Sequence, residues 1–410
     1  MTLRKDAEFI IDAALKAALP DEAVKKALKD KTFEGGNLYL VAAGKAAWQM
    51  TKTSSDILGS KITKGVCISK YGHIKGDIPK VACFEAGHPI PDENSFKATE
   101  VAIDMVKELT SDDTVLFLLS GGGSALFESP LISGEELADI TKELLACGAD
   151  IVEINTIRKR LSTVKGGKFA TMCMPAKVYS IILSDILGDP LDMIASGPAY
   201  PDKSTSTEAL AIVEKYNLKL SNKVIELLTI ETPKTLENVE TVVTGSVKQL
   251  CKAAEKSSEA LGYKPFLLTD CLSCEAKEAG AFISAIAKTY QSSETSLAFI
   301  LGGETVVRLT GCGKGGRNQE LALSAAIGLS GLKETALFSV GSDGTDGPTD
   351  AAGAYVDHDT KAILESQGIN LYDVLRDNNS YYALQKANSL IITGATGTNV
   401  NDITVLLIRR

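Results

Sequence analysis

The sequence predicts an α/β fold with largely parallel sheets, divided between two domains. Short apolar runs alternate with longer amphipathic stretches, which is the rhythm of β-α-β units. The apolar runs are continuous rather than alternating, so helices should cover both faces of the sheets. The 410 residues exceed the usual size of a single domain.

Nine apolar runs are the predicted strands, and most of them end in Gly, Ser or an acidic residue. In open parallel sheets, ligands bind beyond the carboxyl ends of the strands, so we expect the functional residues there. A polar stretch with a proline, Glu231–Glu240, predicts a change of domain close by. The predicted strands are Leu38–Gly44, Gly65–Lys70, Val115–Ser120, Val178–Asp185, Thr241–Ser246, Pro265–Asp270, Ala298–Glu304, Ala336–Asp343 and Ile403–Arg410.

The composition narrows the possible functions. A net charge of −9 disfavours a nucleic-acid partner, since an acidic surface repels phosphate backbones. No run approaches the roughly 20 apolar residues of a membrane span, so we expect a cytoplasmic protein with no membrane partner. The eight scattered cysteines are expected to be reduced and mostly buried. Cys271 and Cys274 form a single C-x-x-C pair without the further ligands of a zinc site.

A glycine-rich turn, Ser120–Phe127, follows a predicted strand and leads toward a helix. Its three consecutive glycines allow backbone N–H groups to approach an anion, and Ser120 and Ser124 add hydroxyl donors. The structural alternative is a tight turn, for which one or two glycines would suffice. We predict that this turn binds phosphate.

A basic segment, Ile154–Lys168, lies in a run without Asp or Glu that extends to Ser184. On one helix Arg158 and Lys165 would share a face, and the glycines at 166 and 167 would end that helix. The structural alternative is a solvated basic surface. In an acidic protein we expect this segment to attract carboxylate or phosphate.

The predicted strand that ends at Asp185 is followed within one loop by two further acidic residues, Asp189 and Asp192. Mg²⁺ bound with nucleotide phosphates usually takes one or two protein carboxylates, so Asp185 or Asp189 is the expected ligand, with Asp192 nearby. The structural alternative is that Asp189 caps a helix, and one residue can serve both purposes.

A second glycine run matches G-x-G-x-x-G between a strand and a helix, at Gly311, Gly313 and Gly316. This fingerprint is weak by itself. The cationic and amide side chains beside it suit a polyphosphate better than a neutral nicotinamide. Those side chains belong to Lys314, Arg317 and Asn318, and Glu304 at the end of the preceding strand is a candidate for a metal-bound water or a substrate hydroxyl.

Three further acids, Asp343, Asp346 and Asp350, lie in one loop that differs from a calcium-binding EF-hand, because no acid stands near Ala354. A series of Asx-turns and a role for Asp343 in positioning a hydroxyl or Mg²⁺ both stay open. Lys45 follows the first predicted strand, where its ammonium can reach the edge of the sheet at which the strands end and ligands are expected to bind. No P-loop and no hydrolase triad is present.

Eight motifs in this order resemble the glycerate 2-kinase family, whose C-terminal half is called the MOFRL domain, and they cover nearly the whole chain. The one departure is Ala395, where the family pattern leads us to expect proline. The motifs are VAAGKAAW, GHPIPDENS, LLSGGGSALF, INTIRKRLSTVKGGK, ILSDILGDPLDMIASGP, GGETVVRLTGCGKGGRNQE, GSDGTDGPTDAAGA and TGATGTNVNDI.

The resemblance implies a larger Rossmann-like domain, residues 1–235, and a smaller mixed α/β domain, residues 236–410, with a cleft between them. The last strand is expected either within the C-terminal domain or packed back on the N-terminal domain. It implies transfer of a phosphoryl group from ATP, with Mg²⁺ or another divalent cation, to D-glycerate, giving 2-phosphoglycerate. A monomer and a homodimer are both compatible with it. Two alternatives stay open: an NAD(P)-dependent hydroxy-acid dehydrogenase and a non-catalytic metabolite-binding protein.

The motifs also assign roles to single residues. Lys45, Arg317 and Asp189 are the predicted catalytic residues, with Asp343 as the alternative base. Substrate contacts are assigned to Lys45, Ser120, Arg158, Lys165 and Arg317, nucleotide contacts to Gly121, Gly122, Gly123, Ser124, Gly313, Lys314, Gly315, Gly316, Asn318 and Asn399, and metal contacts to Asp185, Asp189, Glu304 and Asp343.

Overall fold

Two compact units make up the chain in a computed structural model that describes residues 2–184, 188 and 190–410. We call Ala23–Thr244 the parallel-sheet unit, and Met1–Glu22 together with Gly245–Arg410 the mixed-sheet unit. The division after residue 244 differs from the predicted one after residue 235. The prediction also placed residues 1–22 in the first domain, whereas they belong with the C-terminal half.

The parallel-sheet unit contains six strands and most of the helices of the first half of the chain. Its strands are β1 (Leu38–Ala43), β2 (Ile62–Lys70), β3 (Val81–Ala86), β4 (Thr114–Leu119), β5 (Lys177–Leu183) and β6 (Val239–Gly245). After helix α1 (Leu3–Ala17), the helices are α2 (Pro20–Leu28), α3 (Ala47–Leu58), α4 (Glu93–Val106), α5 (Gly123–Leu126), α6 (Gly134–Ala146), α7 (Ile151–Arg160), α8 (Lys168–Met172), α9 (Ser206–Tyr216) and α10 (Asn222–Leu228).

The sheet of this unit has the strand order β3-β2-β1-β4-β5-β6, which is the Rossmann order. Strands β1 to β5 pair in parallel. The order reverses between β1 and β4, and the crevice at such a switch point, beyond the carboxyl ends of the strands, is where open α/β sheets bind ligands. The fold therefore brings the loop after Ala43 next to the loop after Leu119.

A continuous apolar core holds this sheet between helices. Strands β1, β4 and β5 are buried along nearly their whole length, which explains why they read as continuous apolar runs. Phe117, Phe127 and Phe169 form an aromatic group with ring centroids 4.8 to 5.5 Å apart. A second cluster, built from α6, α7, α9 and α10, packs separately.

The mixed-sheet unit contains the remaining strands and helices. Its strands are β7 (Lys264–Leu272), β8 (Leu297–Gly303), β9 (Thr335–Gly341), β10 (Gly353–Asp357), β11 (Leu390–Ile391) and β12 (Asp402–Ile408). Besides α1, its helices are α11 (Val247–Ala260), α12 (Ala276–Thr289), α13 (Arg317–Leu329), α14 (Thr360–Ser366), α15 (Leu371–Arg376) and α16 (Ser380–Lys386).

The strand order of the mixed sheet is β11-β10-β9-β12-β8-β7. Only β7 and β8 pair in parallel, while β12 runs antiparallel to both of its neighbours. The last strand thus lies inside this sheet, between β9 and β8. Helix α1 packs against α11, and the Tyr263 hydroxyl donates to Asp6 at 2.6 Å. These contacts are the reason that the N-terminal segment belongs to this unit.

All nine predicted strands are present, and the prediction missed β3, β10 and β11. β3 is half exposed, and β10 and β11 are short, so none of these three strands gives a long apolar run in the sequence. The eight cysteines are free, as expected, but only Cys67, Cys173 and Cys251 are buried, so the prediction of mostly buried thiols was wrong. Within the described ranges, no helix is both long and apolar enough to cross a membrane.

Candidate active site

The loops after β1 and β4 meet at the switch point of the parallel sheet. The Lys45 N–H donates to the Gly121 carbonyl at 2.8 Å, and the Ala46 N–H donates to the Ser120 hydroxyl at 3.0 Å. Gly44 has φ +130°, and a Cβ there would overlap both the hydroxyl and the carbonyl of Ser120. Only glycine permits this approach, which fixes Lys45 beside the Ser120–Ser124 turn.

Two histidines, His73 and His88, lie close to Lys45 and the glycine turn. His73 Nδ1 lies 3.0 Å from the Lys45 carbonyl. A Cβ built on Gly122 would lie 2.9 Å from His88 Cδ2 and 3.3 Å from Lys45 Cγ, so these three residues are close neighbours. Burial lowers the pKa of His88, and the neighbouring Lys45 and Lys70 lower it further. His88 is therefore neutral at pH 7, where it can accept or donate a hydrogen bond.

Lys45 differs from the other cations of this region in its electrostatic partners. Among residues 2–184, 188 and 190–410, no carboxylate forms an ion pair with Lys45. An unpaired ammonium beside a glycine turn at the carboxyl edge of a parallel sheet attracts an anionic ligand.

A chain of hydrogen bonds continues from the glycine turn into the unit. The hydroxyls of Ser124 and Ser196 are 3.1 Å apart, and Ser196 donates to Asn155 Oδ1 at 2.8 Å. Ala195 and Ser196 both have positive φ values, 51° and 60°. Sequence reasoning missed Asn155 and Ser196, although both lie within the quoted motifs, because adjacent strained residues are visible only in the backbone.

The basic segment is not the open anion-binding surface that the sequence predicts. Helix α7 ends at Arg160, so Lys165 and Arg158 do not share a helix, and the glycines at 166 and 167 do not end it. Lys159 and Arg160 are buried. Lys159 lies 3.0 Å from Asp202, and Arg160 donates to the Ser204 hydroxyl at 2.9 Å. These cations find their counter-ions within the unit, because burying an unpaired charge costs too much.

Lys165 and Arg158 converge on the turn that precedes Glu128. Lys165 Nζ donates to the carbonyls of Ser124 and Phe127 at 2.8 and 2.9 Å and lies 3.3 Å from Glu128. Arg158 donates to the Ser124 carbonyl at 3.0 Å and lies 3.4 Å from the same carboxylate. Lys165 is completely buried, so it supports the glycine turn and is not placed to anchor a substrate carboxylate as predicted.

In the mixed-sheet unit, Arg317 stands at the start of α13 between two acids. Its guanidinium makes a two-pronged ion pair with Asp402 at 2.6 and 2.9 Å and a third contact with Glu304 at 3.0 Å. Asn401 donates to the other oxygen of Glu304 at 3.1 Å. The predicted catalytic arginine is thus held in one orientation by a planar fork.

The second glycine run packs against the connection between α15 and α16. The amides of Thr310 and Gly311 donate to Asn378 Oδ1 at 2.7 and 2.9 Å, and the Gly313 amide donates to the Asp377 carbonyl at 2.8 Å. The Lys314 amide donates to Asn379 Oδ1 at 3.2 Å. These amides are used inside the chain. The run is therefore not the open strand-turn-helix of a dinucleotide site.

The glycines of this run are required by packing. A Cβ on Gly311 or Gly313 would overlap the backbone of residues 377–379, and one on Gly315 or Gly316 would overlap Ser380 or Asp346. The remaining cation of the run, Lys314, lies 4.6 Å above the Tyr381 ring. Close packing thus explains these glycines without a phosphate.

Asn318 and Asp346 are buried partners and not surface groups. Asp346 accepts from the backbone amides of Asn318 and Gln319 at 3.2 and 2.9 Å, and burial raises its pKa to about 6. The Asn318 side chain accepts from the Ser339 hydroxyl at 2.6 Å. This placement argues against the predicted contact of Asn318 with nucleotide. Asn399, by contrast, is exposed.

The structure describes two of the four predicted metal ligands, Glu304 and Asp343. Asp185 and Asp189 lie outside the described residues, so their predicted roles in metal binding and catalysis rest on the sequence alone. Within the described part of the chain, no group of three or more His, Cys, Asp or Glu side chains is arranged to hold a metal. Glu304 pairs with Arg317, and Asp343 accepts from the Thr345 amide at 3.0 Å.

These features define a class of protein: an α/β chain with a Rossmann-like unit, an anion-attracting turn at its switch point and a second, mixed α/β unit. Residues 6–229 match a family model described as a domain of unknown function, DUF4147, and residues 297–402 match the MOFRL family. A D-glycerate 2-kinase of Thermotoga maritima is 50% identical, with 99% of each chain covered. The chain belongs to the glycerate 2-kinase family, as its motifs predict.

Two further comparisons complete this placement. A crystal structure of a glycerate kinase from Thermotoga maritima has a TM-score of 0.95, with 50% identity and 99% of each chain covered. A relative from Agrobacterium vitis, 36% identical over 97% of this chain and 93% of its own length, is named as a hydroxypyruvate reductase, and the name itself marks that assignment as provisional.

Proposed function

We propose that this protein transfers a phosphoryl group from ATP to the 2-hydroxyl of D-glycerate, forming 2-phosphoglycerate and ADP, in the cytoplasm. Membership of the glycerate 2-kinase family supports the reaction class. The observation that carries the proposal is the position of Lys45 beside the Ser120–Ser124 turn at the switch point of the parallel sheet, with no carboxylate partner among the residues that the structure describes.

Phosphoryl transfer depends on alignment and on neutralising the charge that develops on the transferred group. Lys45 provides such a charge, and none of the described carboxylates holds it in an ion pair. The Gly121 and Gly122 amides have no acceptor among the described residues, which suits a turn that binds anionic oxygens. Ser124 and Ser196 offer hydroxyl groups on the same side of the turn. In this proposal Arg317 is the second catalytic cation, oriented by Asp402.

Mg²⁺ would supply charge neutralisation on the nucleotide phosphates, and it usually takes one or two protein carboxylates. Both oxygens of Glu304 are engaged, by Arg317 and Asn401. Asp343 has one oxygen engaged by the Thr345 amide and is half-buried. Of the predicted ligands that the structure describes, Asp343 therefore fits a magnesium ion best. Asp185 and Asp189 keep their predicted role from the sequence alone.

Release of ADP in the presence of D-glycerate, ATP and Mg²⁺ tests the reaction. We expect Lys45→Ala to lower kcat/KM by about 100-fold or more, since removing one preorganised charge-stabilising group typically has that effect. Lys52→Ala is the matched control, because Lys52 is an exposed lysine on the following helix and pairs with Asp56. Turnover of Lys45→Ala equal to that of the wild type would remove Lys45 from the mechanism.

The position of phosphorylation needs its own measurement. Phosphorus NMR of the product separates 2-phosphoglycerate from 3-phosphoglycerate, and L-glycerate serves as the control substrate. A 3-phosphoglycerate product would retain the kinase proposal and reject its assignment of the 2-hydroxyl.

A reductase of hydroxypyruvate is the second candidate, favoured by the name of the Agrobacterium vitis relative. The structure gives it little support, since the amides of Gly311 and Gly313 bond to residues 377 and 378 and leave no open dinucleotide turn there. Hydroxypyruvate with NADH or NADPH tests it by nicotinamide absorbance. Oxidation of the cofactor, without ADP release from ATP and D-glycerate, would replace the proposed kinase by a reductase. Ligand binding without either reaction would indicate a non-catalytic binding protein.

A further inference from the structure

A left-handed turn packs against the glycine turn at the switch point. Ala195, Ser196 and Gly197 have φ values of 51°, 60° and 64° in succession. Alanine and serine avoid this region because the Cβ crowds the following carbonyl oxygen, so the surrounding structure must hold them there. The amides of Gly166 and Gly167 do so by donating to the carbonyls of Ser196 and Gly197 at 3.0 and 2.7 Å. Backbone strain of this kind is concentrated at binding sites and active sites, so the Ser196 side chain is a candidate for a functional role.

The two turns fit together at a glycine. A Cβ built on Gly123 would lie 2.7 Å from the Cβ of Ala195, so only glycine allows the left-handed turn to approach this closely. The approach brings the Ser196 hydroxyl to 3.1 Å from the Ser124 hydroxyl. Ser196 and its partner Asn155 are buried, whereas Ser124 is half-buried. Ser124 is therefore the member of this hydrogen-bonded chain that a ligand in the crevice can reach.

The protons of the chain can point in one direction only. Asn155 Oδ1 is an acceptor, so the single proton of the Ser196 hydroxyl lies on the 2.8 Å bond to it. The donor end of the same amide, Asn155 Nδ2, faces the weak acceptor Met193 Sδ at 3.9 Å. Ser196 then has only lone pairs to offer Ser124, so the proton between the two hydroxyls belongs to Ser124. The side of the Ser124 oxygen that faces the crevice is left as an acceptor.

An acceptor at this position selects the kind of ligand group that it contacts. Ionised phosphate and carboxylate oxygens carry no proton, so against Ser124 they would set lone pairs opposite lone pairs. A hydroxyl group can donate to the same oxygen. The geometry therefore favours contact of Ser124 with a hydroxyl of the substrate over the contact with nucleotide that the sequence predicts.

The inner end of the chain indicates which hydroxyl of the substrate this is. A hydroxyl that attacks a phosphoryl group loses its proton, and a residue that assists this loss must take up the proton or pass it on. From Ser124 a proton could pass only to Ser196 and then to the Asn155 amide oxygen, which is not basic. The chain therefore suits a hydroxyl that keeps its proton throughout the reaction.

We propose that Ser124 accepts a hydrogen bond from the non-reacting hydroxyl of the substrate, and that Ser196 and Asn155 are positioning residues that hold the Ser124 proton on the inner side. The inference rests on the proposed function. Because the 2-hydroxyl of D-glycerate is the proposed site of phosphorylation, the hydroxyl at Ser124 is the 3-hydroxyl. Ser124 thus selects hydroxy acids that carry a hydroxyl on carbon 3.

Isothermal titration calorimetry with three small acids tests this contact on the full chain without relying on turnover. D-Lactate is D-glycerate without the 3-hydroxyl, and 3-hydroxypropanoate is glycerate without the 2-hydroxyl. The wild type should bind D-glycerate about tenfold more tightly than D-lactate, or better, because D-lactate leaves the acceptor unpaired. Ser124→Ala should bring these two dissociation constants to within about twofold of each other. Its ratio of dissociation constants for 3-hydroxypropanoate and D-lactate should fall below that of the wild type by no more than about twofold.

Substitutions at Asn155 test the direction of the chain. Asn155→Asp keeps an acceptor for the Ser196 proton and should keep the preference for D-glycerate over D-lactate, since a new charge affects both acids alike. Asn155→Leu removes the acceptor, and the preference should fall about fivefold or more. Ser196→Ala breaks the same chain with a smaller change in volume and should have the same effect. Ser133→Ala is the control, because Ser133 is an exposed serine that caps α6, and it should leave the preference unchanged.

Far-UV circular dichroism checks that each variant is folded. Equal dissociation constants of D-glycerate and D-lactate in the wild type, or an unchanged ratio in folded Ser124→Ala, would overturn the proposal. A Ser124→Ala variant that loses its preference over 3-hydroxypropanoate but not over D-lactate would also overturn it, since Ser124 would then contact the reacting hydroxyl. The expected ratios without ADP release would retain the contact and reject the proposed kinase, whereas ADP release with equal dissociation constants would do the reverse.

Discussion

The pKa of Lys165 gives the sharpest quantitative prediction for the parallel-sheet unit. This lysine is completely buried, and burial lowers its pKa from the ordinary value of 10.5 to about 8, although the nearby Glu128 raises it. Because the folded unit holds this proton less tightly than the unfolded chain, the unfolded state binds more protons between pH 8 and pH 10.5. The contribution of Lys165 to stability is complete above pH 10.5 and is lost as the pH falls through 8.

The magnitude follows from the size of the pKa change. A lowering from 10.5 to about 8 corresponds to about 3 kcal/mol of unfolding free energy gained between the two pH values. Lys165→Met has no proton to release. We therefore expect the rise in stability from pH 7.5 to pH 10.5 to be about 3 kcal/mol smaller in Lys165→Met than in the wild type, whatever the stability of the variant at pH 7.5.

Urea unfolding at the two pH values measures this difference. The fluorescence of Trp48, the single tryptophan, reports on the parallel-sheet unit itself. Lys107→Met is the matched control, since Lys107 is an exposed lysine paired with Asp104, and its variant should respond to pH as the wild type does. An equal rise in the wild type and in Lys165→Met would refute the assignment of a lowered pKa to Lys165.

Two other substitutions test the packing of the glycine turns. Gly44→Ala should destabilise the protein by about 3 kcal/mol and lower kcat/KM strongly, because the added Cβ overlaps Ser120. Gly76 is the control position, since it has a similar φ of +138° but no neighbouring atom within 4 Å. Gly76→Ala should therefore lower the unfolding free energy by only about 1 kcal/mol, and thermal unfolding measures both changes. Equal losses for both variants would contradict the steric argument. Asn378→Ala should lower the unfolding free energy by about 3 kcal/mol, since the Thr310 and Gly311 amides lose their acceptor. The control Asn388→Ala, at an exposed position with φ 52°, should lower it by less than 1 kcal/mol. Comparable losses would show that Asn378 does not support this loop.

The strands could be predicted from the sequence because their signal is local. A run such as Val115–Ser120 is continuously apolar, and only a strand covered on both faces requires that. The edge of the sheet that carries the site followed from the same runs, since the residues after parallel strands meet at one edge. The strand order and its switch point were not predicted. Lys45 and Ser120 were placed together on this reasoning, and they are joined through Ala46 and Gly121 in the structure.

The partners of charged residues could not be predicted, because they depend on contacts between distant segments. Lys165 pairs with Glu128, and Lys159 with Asp202, across 37 and 43 positions. A basic run whose counter-ions lie elsewhere in the sequence looks the same as an exposed basic surface. The packing role of the second glycine run could not be predicted for a similar reason. The segment that leaves no room for side chains at Gly311 and Gly313 lies more than 60 residues further along the chain.

The N-terminal helix has a consequence for how the chain is made. Helix α1 belongs to the mixed-sheet unit, so residues 23–244 form an insertion within that unit. The ribosome therefore synthesises α1 long before its packing partners, which are α11, β9 and the Thr398 hydroxyl that donates to the Ala18 carbonyl. At synthesis rates of about 5–20 residues per second, the apolar face of α1 stays without its final contacts for tens of seconds. During that time the inserted unit is complete and able to fold, so it forms first, and α1 joins the remainder of its own unit only when the end of the chain is synthesised.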